Sequence, residues 1–193
     1  MQGVMHRIRL ALFAFVVFAA GSLLSAAEPA AKPLVGTWRI VLGRGSDLSP
    51  WRAFDLEITA DGPRVTLIRH LAAGRRTYDD VTALDLSQPF SRVPVKWWGD
   101  NRHLGAYIGG DRTKTVRAEL LDGGRILRTS ADLVLATQQG ERAVNILSDY
   151  KVSANGAWLT LVELRSTRNE PVVYVFERLT GPQAAKHFTG TAE

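Results

Sequence analysis

The stretch DYKVSANGAWLTLVELRSTRNEPVVYVFERL, residues 149–179, decides the fold, because two turn-forming segments divide it into apolar-rich runs. The turns are ANGA at 154–157 and TRNE at 167–170, and the runs belong to candidate strands 142–153, 158–166 and 172–179. Asn155-Gly156 favours a two-residue turn whose central φ angles are both positive. Runs bounded in this way are typical of antiparallel strands, although 158–166 and 172–179 are apolar on both faces, so periodicity does not orient them.

The same pattern continues outward to Leu34. In 52–59, for example, Phe54, Leu56 and Ile58 alternate with Asp55 and Glu57, as expected of a half-buried strand. No long amphipathic helix pattern interrupts the series. The other candidate strands are 35–43, 64–72, 76–87, 105–109, 113–121 and 125–137.

These sequential strands with short connections predict an all-β fold. An antiparallel up-and-down β-barrel of about 8–10 strands fits best, because closing the sheet removes its exposed edges. A β-sandwich is the alternative, but it needs longer crossing connections than most of these turns provide.

The N-terminal segment predicts export. Residues 1–27 combine Arg7 and Arg9, an apolar run and small residues, which is typical of a cleavable signal peptide cut after Ala27. The apolar run is short for a membrane span, which needs about 20 residues, so we expect no stable membrane anchor after cleavage. We therefore predict a periplasmic or secreted protein with a linker at 28–33, a barrel domain at 34–180 and a loose tail at 181–193.

Composition narrows the chemistry. The chain has no cysteine, which excludes disulfides, thiol catalysis and cysteine metal sites. Its net charge of +5 comes from scattered basic residues, so we expect no nucleic-acid partner. His70, His103 and His187 have no metal-binding spacing, and GRGSD at 43–47 lacks the pattern of a phosphate loop. The segment Tyr78-Asp79-Asp80 contains side chains that could act in acid–base catalysis, but the simpler interpretation is that its two carboxylates are exposed to solvent.

One connection between the predicted strands is much longer than the others. QPFSRVPVKWWGDNRHLG, residues 88–105, is expected to form a loop across one end of the barrel. Phe90, Trp97 and Trp98 lie close together in it, surrounded by the basic residues Arg92, Lys96 and Arg102. These aromatic residues either anchor the loop to the core or contact a ligand or an envelope partner.

The first strand of the series contains Gly36-Thr37-Trp38, which resembles the Gly-x-Trp motif of the lipocalins and the wider calycin superfamily. The closing segment 149–179 resembles the last hairpins of bacterial exported lipocalin-like domains. The resemblance implies that Trp38 plugs the closed end of a barrel and that Arg178, in the last strand, covers the ring. In that position the glycine would let other backbone approach closely. The alternative for Arg178 is a solvated residue at a strand end.

The same resemblance implies a binding protein without catalysis, metal or cofactor. A barrel of this size can hold one small hydrophobic or amphiphilic molecule. Polar residues interrupt the predicted apolar faces, and with the aromatic residues they form the candidate ligand-binding set: Arg69, Tyr78, Trp97, Trp98, Thr129, Ser148 and Tyr150. The alternative is an interaction or structural module whose barrel is filled by side chains and whose loop 88–105 contacts a component of the cell envelope.

Overall fold

The computed structural model describes residues 31–46, 51–73, 75–96 and 107–183. The predicted signal peptide, Trp97, Trp98 and most of the predicted tail lie outside these ranges. Within them, no helix has the length and apolar character needed to cross a membrane.

The described chain is all-β, with eleven strands and two short 3₁₀ helices at Asp122–Gly124 and Gly181–Gln183. The strands are Gly36–Ile40 (β1), Ala53–Asp61 (β2), Arg64–Ala73 (β3), Arg76–Asp85 (β4), Ser91–Pro94 (β5), Tyr107–Ile108 (β6), Thr113–Leu121 (β7), Ile126–Thr137 (β8), Gly140–Val152 (β9), Trp158–Arg165 (β10) and Val172–Arg178 (β11).

All strands belong to one antiparallel sheet with up-and-down connectivity. Its order is β4-β3-β2-β1-β11-β10-β9-β8-β7-β5, and β6 pairs with the end of β8 that β7 leaves uncovered. The pairing of β1 with β11 joins the two ends of the chain and curls the sheet into a nearly closed barrel. The prediction of an up-and-down barrel is confirmed, and the sandwich alternative is excluded.

The two ends of this sheet, β4 and β5, meet along a seam that side chains bridge. Lys114 Nζ on β7 donates a hydrogen bond to Thr82 Oγ1 on β4, at 2.7 Å. Nearer the end of the barrel where β1 begins, the backbone N–H of Asp85 donates to Ser91 Oγ at 2.9 Å. These contacts span the gap between β4 and its neighbours β5 and β7, where no backbone ladder joins them.

The predicted loop 88–105 contains a strand, so that prediction was wrong in part. Ser91–Pro94 pairs with residues 113–116 of β7. A four-residue strand that ends on a proline is too short to show an alternating pattern, so this strand could not be predicted from the sequence. The rest of the loop from Trp97 onward falls outside the described residues.

The Asn155-Gly156 turn lies at its predicted place but has a different conformation. Of the two residues, only Gly156 has a positive φ, +70°, and the loop between β9 and β10 spans five residues, 153–157. The Asn155 side chain completes it, because its Oδ1 accepts hydrogen bonds from Ser153 Oγ at 2.6 Å and from the Ala157 N–H at 3.1 Å.

Trp38 closes one end of the barrel, here called the lower end, where β1 begins and β11 finishes. Its side chain is fully buried, and Nε1–H donates to the carbonyl oxygen of Leu34 at 3.0 Å. Leu34 and Leu56 are also fully buried and pack in the same apolar core. These buried side chains fill the lower end of the barrel.

Arg178 covers the Trp38 ring, which confirms the contact predicted from the family resemblance. Its guanidinium carbon lies 3.9 Å from the ring centroid, and the guanidinium also donates hydrogen bonds of 2.6–2.7 Å to the carbonyls of Pro33, Val35 and Gly156. Gly36 makes room for this group, because a Cβ there would lie 2.6 Å from Arg178 Nη1. The glycine thus admits a guanidinium, where close approach of other backbone was expected.

Candidate functional site

Above this floor the barrel encloses a cavity of about 110 Å³. Side chains of two kinds line it, and we name them the polar belt and the apolar wall. The polar belt consists of Arg69, Asp80, Thr82, Lys114, Thr129, Ser148, Tyr150, Glu163, Arg165 and Tyr174. The apolar wall consists of Trp51, Phe54, Leu67, Leu71, Val95, Val116, Ala131, Leu133 and Ile146.

The polar belt arises because several strands change from apolar to polar residues at a similar height. On β10, Leu159 and Leu161 face the core and Glu163 follows on the same face. On β3, Leu67 is followed by Arg69 in the same way. Since inward residues alternate along each strand, these positions form a ring of polar groups across the lumen.

Arg69, Tyr150, Glu163 and Arg165 form a buried ionic cluster in this belt. Arg69 Nη2 donates to Tyr150 OH at 2.5 Å and to Glu163 Oε1 at 2.8 Å, and Arg165 Nη2 donates to Glu163 Oε2 at 2.5 Å. Arg69 and Glu163 are 94 positions apart, on strands that are not neighbours in the sheet. The cluster therefore ties opposite sides of the barrel together through the lumen.

Electrostatics keep this cluster ionised. Burial alone raises the pKa of Glu163, but the guanidinium groups of Arg69 and Arg165 outweigh burial and lower that pKa to about 2. Burial likewise opposes the charge on Arg69, yet Tyr150 and Glu163 hold its pKa well above the ordinary value. Burial raises the pKa of Tyr150, so its hydroxyl keeps its proton at neutral pH.

Lys114 brings a further charge to the cavity from the seam side. Its side chain is 14 % exposed, and Nζ lies 2.7 Å from Thr82 Oγ1 and 3.9 Å from Asp80 Oδ2. Burial lowers the pKa of this ammonium; Asp80 opposes the effect and Arg69 adds to it. A lysine held in a desolvated position next to a cavity costs stability, which is typical of functional groups.

The structure brings together four residues of the sequence-based candidate set. Arg69, Thr129, Ser148 and Tyr150 all line the cavity, and all but Arg69 are nearly fully buried. Tyr78 does not line the cavity; it packs edge-on against Trp51, with ring centroids 5.7 Å apart. The remaining candidates, Trp97 and Trp98, lie outside the described residues.

Sequence reasoning missed the charged partners of Arg69. Glu163 and Arg165 lie in a run that is apolar on both faces, so alternation could not place them inside. Lys114 and Asp80 lie on strands that were predicted but not oriented. A charged residue within an otherwise apolar run, such as Glu163, is the signal that could have found this cluster.

His70 lies on the outer side of the barrel wall, with carboxylates on both neighbouring strands. Its Nδ1 is 2.8 Å from Asp79 Oδ1, and its Nε2 is 3.5 Å from Glu57 Oε2. Asp79 and Asp80 point to opposite sides of β4, so Tyr78-Asp79-Asp80 is not one cluster. Among the described residues, no group of three or more suitable side chains is arranged to hold a metal ion.

The fold and the cavity together define a small antiparallel β-barrel with a charged belt inside, compatible with a lipocalin-like fold. Comparison with protein-family models finds no model that matches the chain, and comparison with curated proteins finds no match.

Proposed function

We propose that this protein binds one small amphiphilic molecule inside the barrel and does not catalyse a reaction of that molecule. The observation that carries the proposal is the two-sided lining of the cavity. The polar belt offers hydrogen-bonding and charged groups, and the apolar wall offers aliphatic and aromatic surface to the same space. Binding sites for small molecules combine these two kinds of lining.

The volume limits the size of the ligand. Pockets for drug-sized molecules have about 300–1,000 Å³, whereas an engineered cavity of about 150 Å³ holds benzene. At about 110 Å³, the present cavity suits a molecule somewhat smaller than benzene, of roughly four to five non-hydrogen atoms. The ligand is therefore a short amphiphile, and a long acyl chain would require the barrel to open.

The same small volume favours a second candidate function. A barrel filled mainly by its own side chains, with a few ordered waters in the polar belt, would serve as an interaction or structural module. In that case the binding surface is external, and the segment 88–105 is the candidate contact with a component of the cell envelope. This alternative needs no ligand in the lumen.

Filling the cavity distinguishes the two functions. Leu133→Trp places a larger ring in the apolar wall, and Leu164→Trp makes the same change on the outside of β10, where Leu164 is 49 % exposed. Ala131→Leu is a milder variant that also fills the cavity. Short amphiphiles are titrated into each protein, and the amide NMR shifts are followed. If the protein binds an amphiphile in the cavity, cavity residues show saturable shifts in wild type and in Leu164→Trp, and binding is weaker in Leu133→Trp and Ala131→Leu. Absence of any saturable shift in wild type would favour the module.

Export and family membership complete the proposal. We propose that the chain is a divergent bacterial exported member of the calycin superfamily, periplasmic or secreted, with its signal removed after Ala27. The apolar run behind Arg7 and Arg9 supports export, and the stacking of Arg178 on Trp38 supports the family assignment. The intact mass of protein recovered outside the cytoplasm tests the first point, since it should correspond to a chain that begins at Glu28.

A further inference from the structure

We infer that Lys114 binds a small aliphatic aldehyde covalently and reversibly, as an imine formed between its Nζ and the carbonyl carbon inside the cavity. The inference rests on the proposed binding function and deepens it by naming the chemical class of ligand. It is carried by the place of this amine in the cavity wall and by the contacts that hold it there.

Lys114 is the one lysine of the described ranges that lines the cavity. The other three, Lys32, Lys96 and Lys151, are exposed. The Lys114 side chain is 14 % exposed, and its Nζ reaches across the seam to Thr82 Oγ1, at 2.7 Å. An aldehyde held in the cavity therefore has this amine in the wall around it, whereas an exposed lysine meets the aldehyde only at its concentration in solution.

The contacts of Lys114 leave its amine able to react. Within the part of the chain that the structure describes, Nζ makes one hydrogen bond, and Asp80 Oδ2 at 3.9 Å is beyond hydrogen-bonding range. Burial lowers the pKa of Lys114, and Asp80 offsets this effect only in part. A larger share of the amine is therefore unprotonated at neutral pH than in an exposed lysine, and the unprotonated amine is the form that attacks a carbonyl.

Formation of the imine needs no oxidant, reductant or other co-reactant. The lone pair of Nζ forms a bond to the carbonyl carbon, and the carbonyl oxygen becomes a hydroxyl by taking up a proton from the nitrogen. The hydroxyl then leaves as water with the second amine proton, and the C=N bond forms. The protonated imine carries the same charge as the ammonium, so Asp80 stabilises it as it stabilises the ammonium.

The surroundings of Lys114 favour an aldehyde with a short alkyl chain. Val116 is the next inward residue on β7, and Val95 follows the end of β5 that pairs with Thr113. Both valines belong to the apolar wall, so a molecule bonded at Nζ has aliphatic surface available for its chain. Butanal lies within the limit of roughly four to five non-hydrogen atoms that the cavity sets.

Reductive trapping on the full chain tests this inference. The protein is incubated at neutral pH with butanal and cyanoborohydride, which reduces an imine to a stable butylamine, and peptide mapping by mass spectrometry locates the label. We expect Lys114 to be labelled at least about tenfold faster than Lys151, because the cavity holds the carbonyl beside Nζ. Butanol, an unreactive competitor of similar size, should slow the labelling of Lys114 alone. Labelling of Lys114 that is no faster than that of Lys151, or that butanol does not slow, would overturn the inference.

Binding measured without the reductant separates this inference from the proposed function. In amide NMR titrations, wild type should bind butanal at least about tenfold more tightly than butanol, because only butanal forms a covalent bond. Equal and saturable binding of the two molecules would overturn the imine and leave the proposed function intact. Absence of saturable binding of either molecule would remove both.

Matched variants assign the reaction to Lys114. Lys114→Arg keeps a cation but forms no imine, so it should bind butanal no more tightly than butanol. Lys151→Arg makes the same change on the exposed face of β9 and should retain the wild-type preference for butanal. A preference retained in folded Lys114→Arg would contradict the assignment. If Lys114→Arg does not fold, the labelling rates of Lys114 and Lys151 in wild type decide the question.

Discussion

Replacing Glu163 by glutamine removes the carboxylate that Arg69 and Arg165 share inside the barrel. The glutamine keeps the size of the side chain but removes the negative charge that both guanidinium groups contact. Removing one partner of a buried ion pair costs about 3–5 kcal/mol of unfolding free energy. Because Glu163 is 1 % exposed, solvent screens little of this effect, and we expect a loss in that range at pH 7.

The pH dependence of this loss identifies its cause. The pKa of Glu163 falls from an ordinary value of 4.5 to about 2 in the folded protein, which at about 1.4 kcal/mol per pH unit corresponds to about 3 kcal/mol. A lowered pKa stabilises the fold above pH 4.5, and this contribution is lost as the pH falls toward 2. The stabilities of wild type and Glu163→Gln should therefore converge over this window.

Urea unfolding between pH 7 and pH 2.5, followed by tryptophan fluorescence, measures this difference. Other carboxylates, such as Asp149 beside Arg128, titrate in both proteins and cancel in the comparison. Glu177→Gln, which alters an exposed carboxylate on the outside of β11, is the matched control and should stay within about 0.5 kcal/mol of wild type. Parallel stability curves for wild type and Glu163→Gln across this range would refute the reasoning.

Three further predictions concern the floor and the seam. Arg178→Leu removes the stacking on Trp38 and three hydrogen bonds to backbone carbonyls, so we expect the unfolding free energy to fall by about 2–3 kcal/mol and the tryptophan emission to shift. Thermal unfolding and fluorescence measure the two effects, and unchanged values in both would contradict the contact. Gly36→Ala puts a methyl group 2.6 Å from Arg178 Nη1 at a φ of +145°, and should cost about 1–3 kcal/mol in urea unfolding. An unfolding free energy equal to that of wild type would contradict the close approach of the guanidinium to Gly36. Lys114→Met removes a buried ammonium whose pKa is lowered by burial, and should raise the unfolding free energy at pH 7 by about 1 kcal/mol. The control Lys151→Met should leave the unfolding free energy unchanged. A loss of stability in Lys114→Met would contradict this prediction and show that Lys114 holds the seam.

The strand pattern could be predicted because it is local. Phe54, Leu56 and Ile58 alternate with polar residues, and the structure buries all three. The pairing of Arg178 with Trp38 was also accessible, since a family motif marked the tryptophan and the last strand supplied the arginine. Strand β5 could not be predicted, because a four-residue strand that ends on a proline is too short to show an alternating pattern.

The ionic cluster could be predicted only in part. Arg69 and Tyr150 were recognisable as polar interruptions of apolar faces, but their link to Glu163 depends on closure of the barrel. No local pattern encodes a contact across 94 positions between strands that are not neighbours in the sheet. The pairing of Lys114 with Thr82 across the seam is non-local in the same way, because it exists only once β4 and β7 face each other.

The Arg178 contacts also determine where attachments to this protein can be made. Residues 33 and 35 are tied to the last strand through Arg178, and the backbone N–H of Leu179 donates to the carbonyl of Thr37 at 2.8 Å. The described chain therefore enters and leaves the barrel at the same end, with the floor between that end and the cavity. A tether, dye or fusion partner joined next to residues 31 and 183 would stand on the far side of the floor from the cavity. Immobilising the protein through either position would present the cavity end to the solution, which suits surface-based binding measurements.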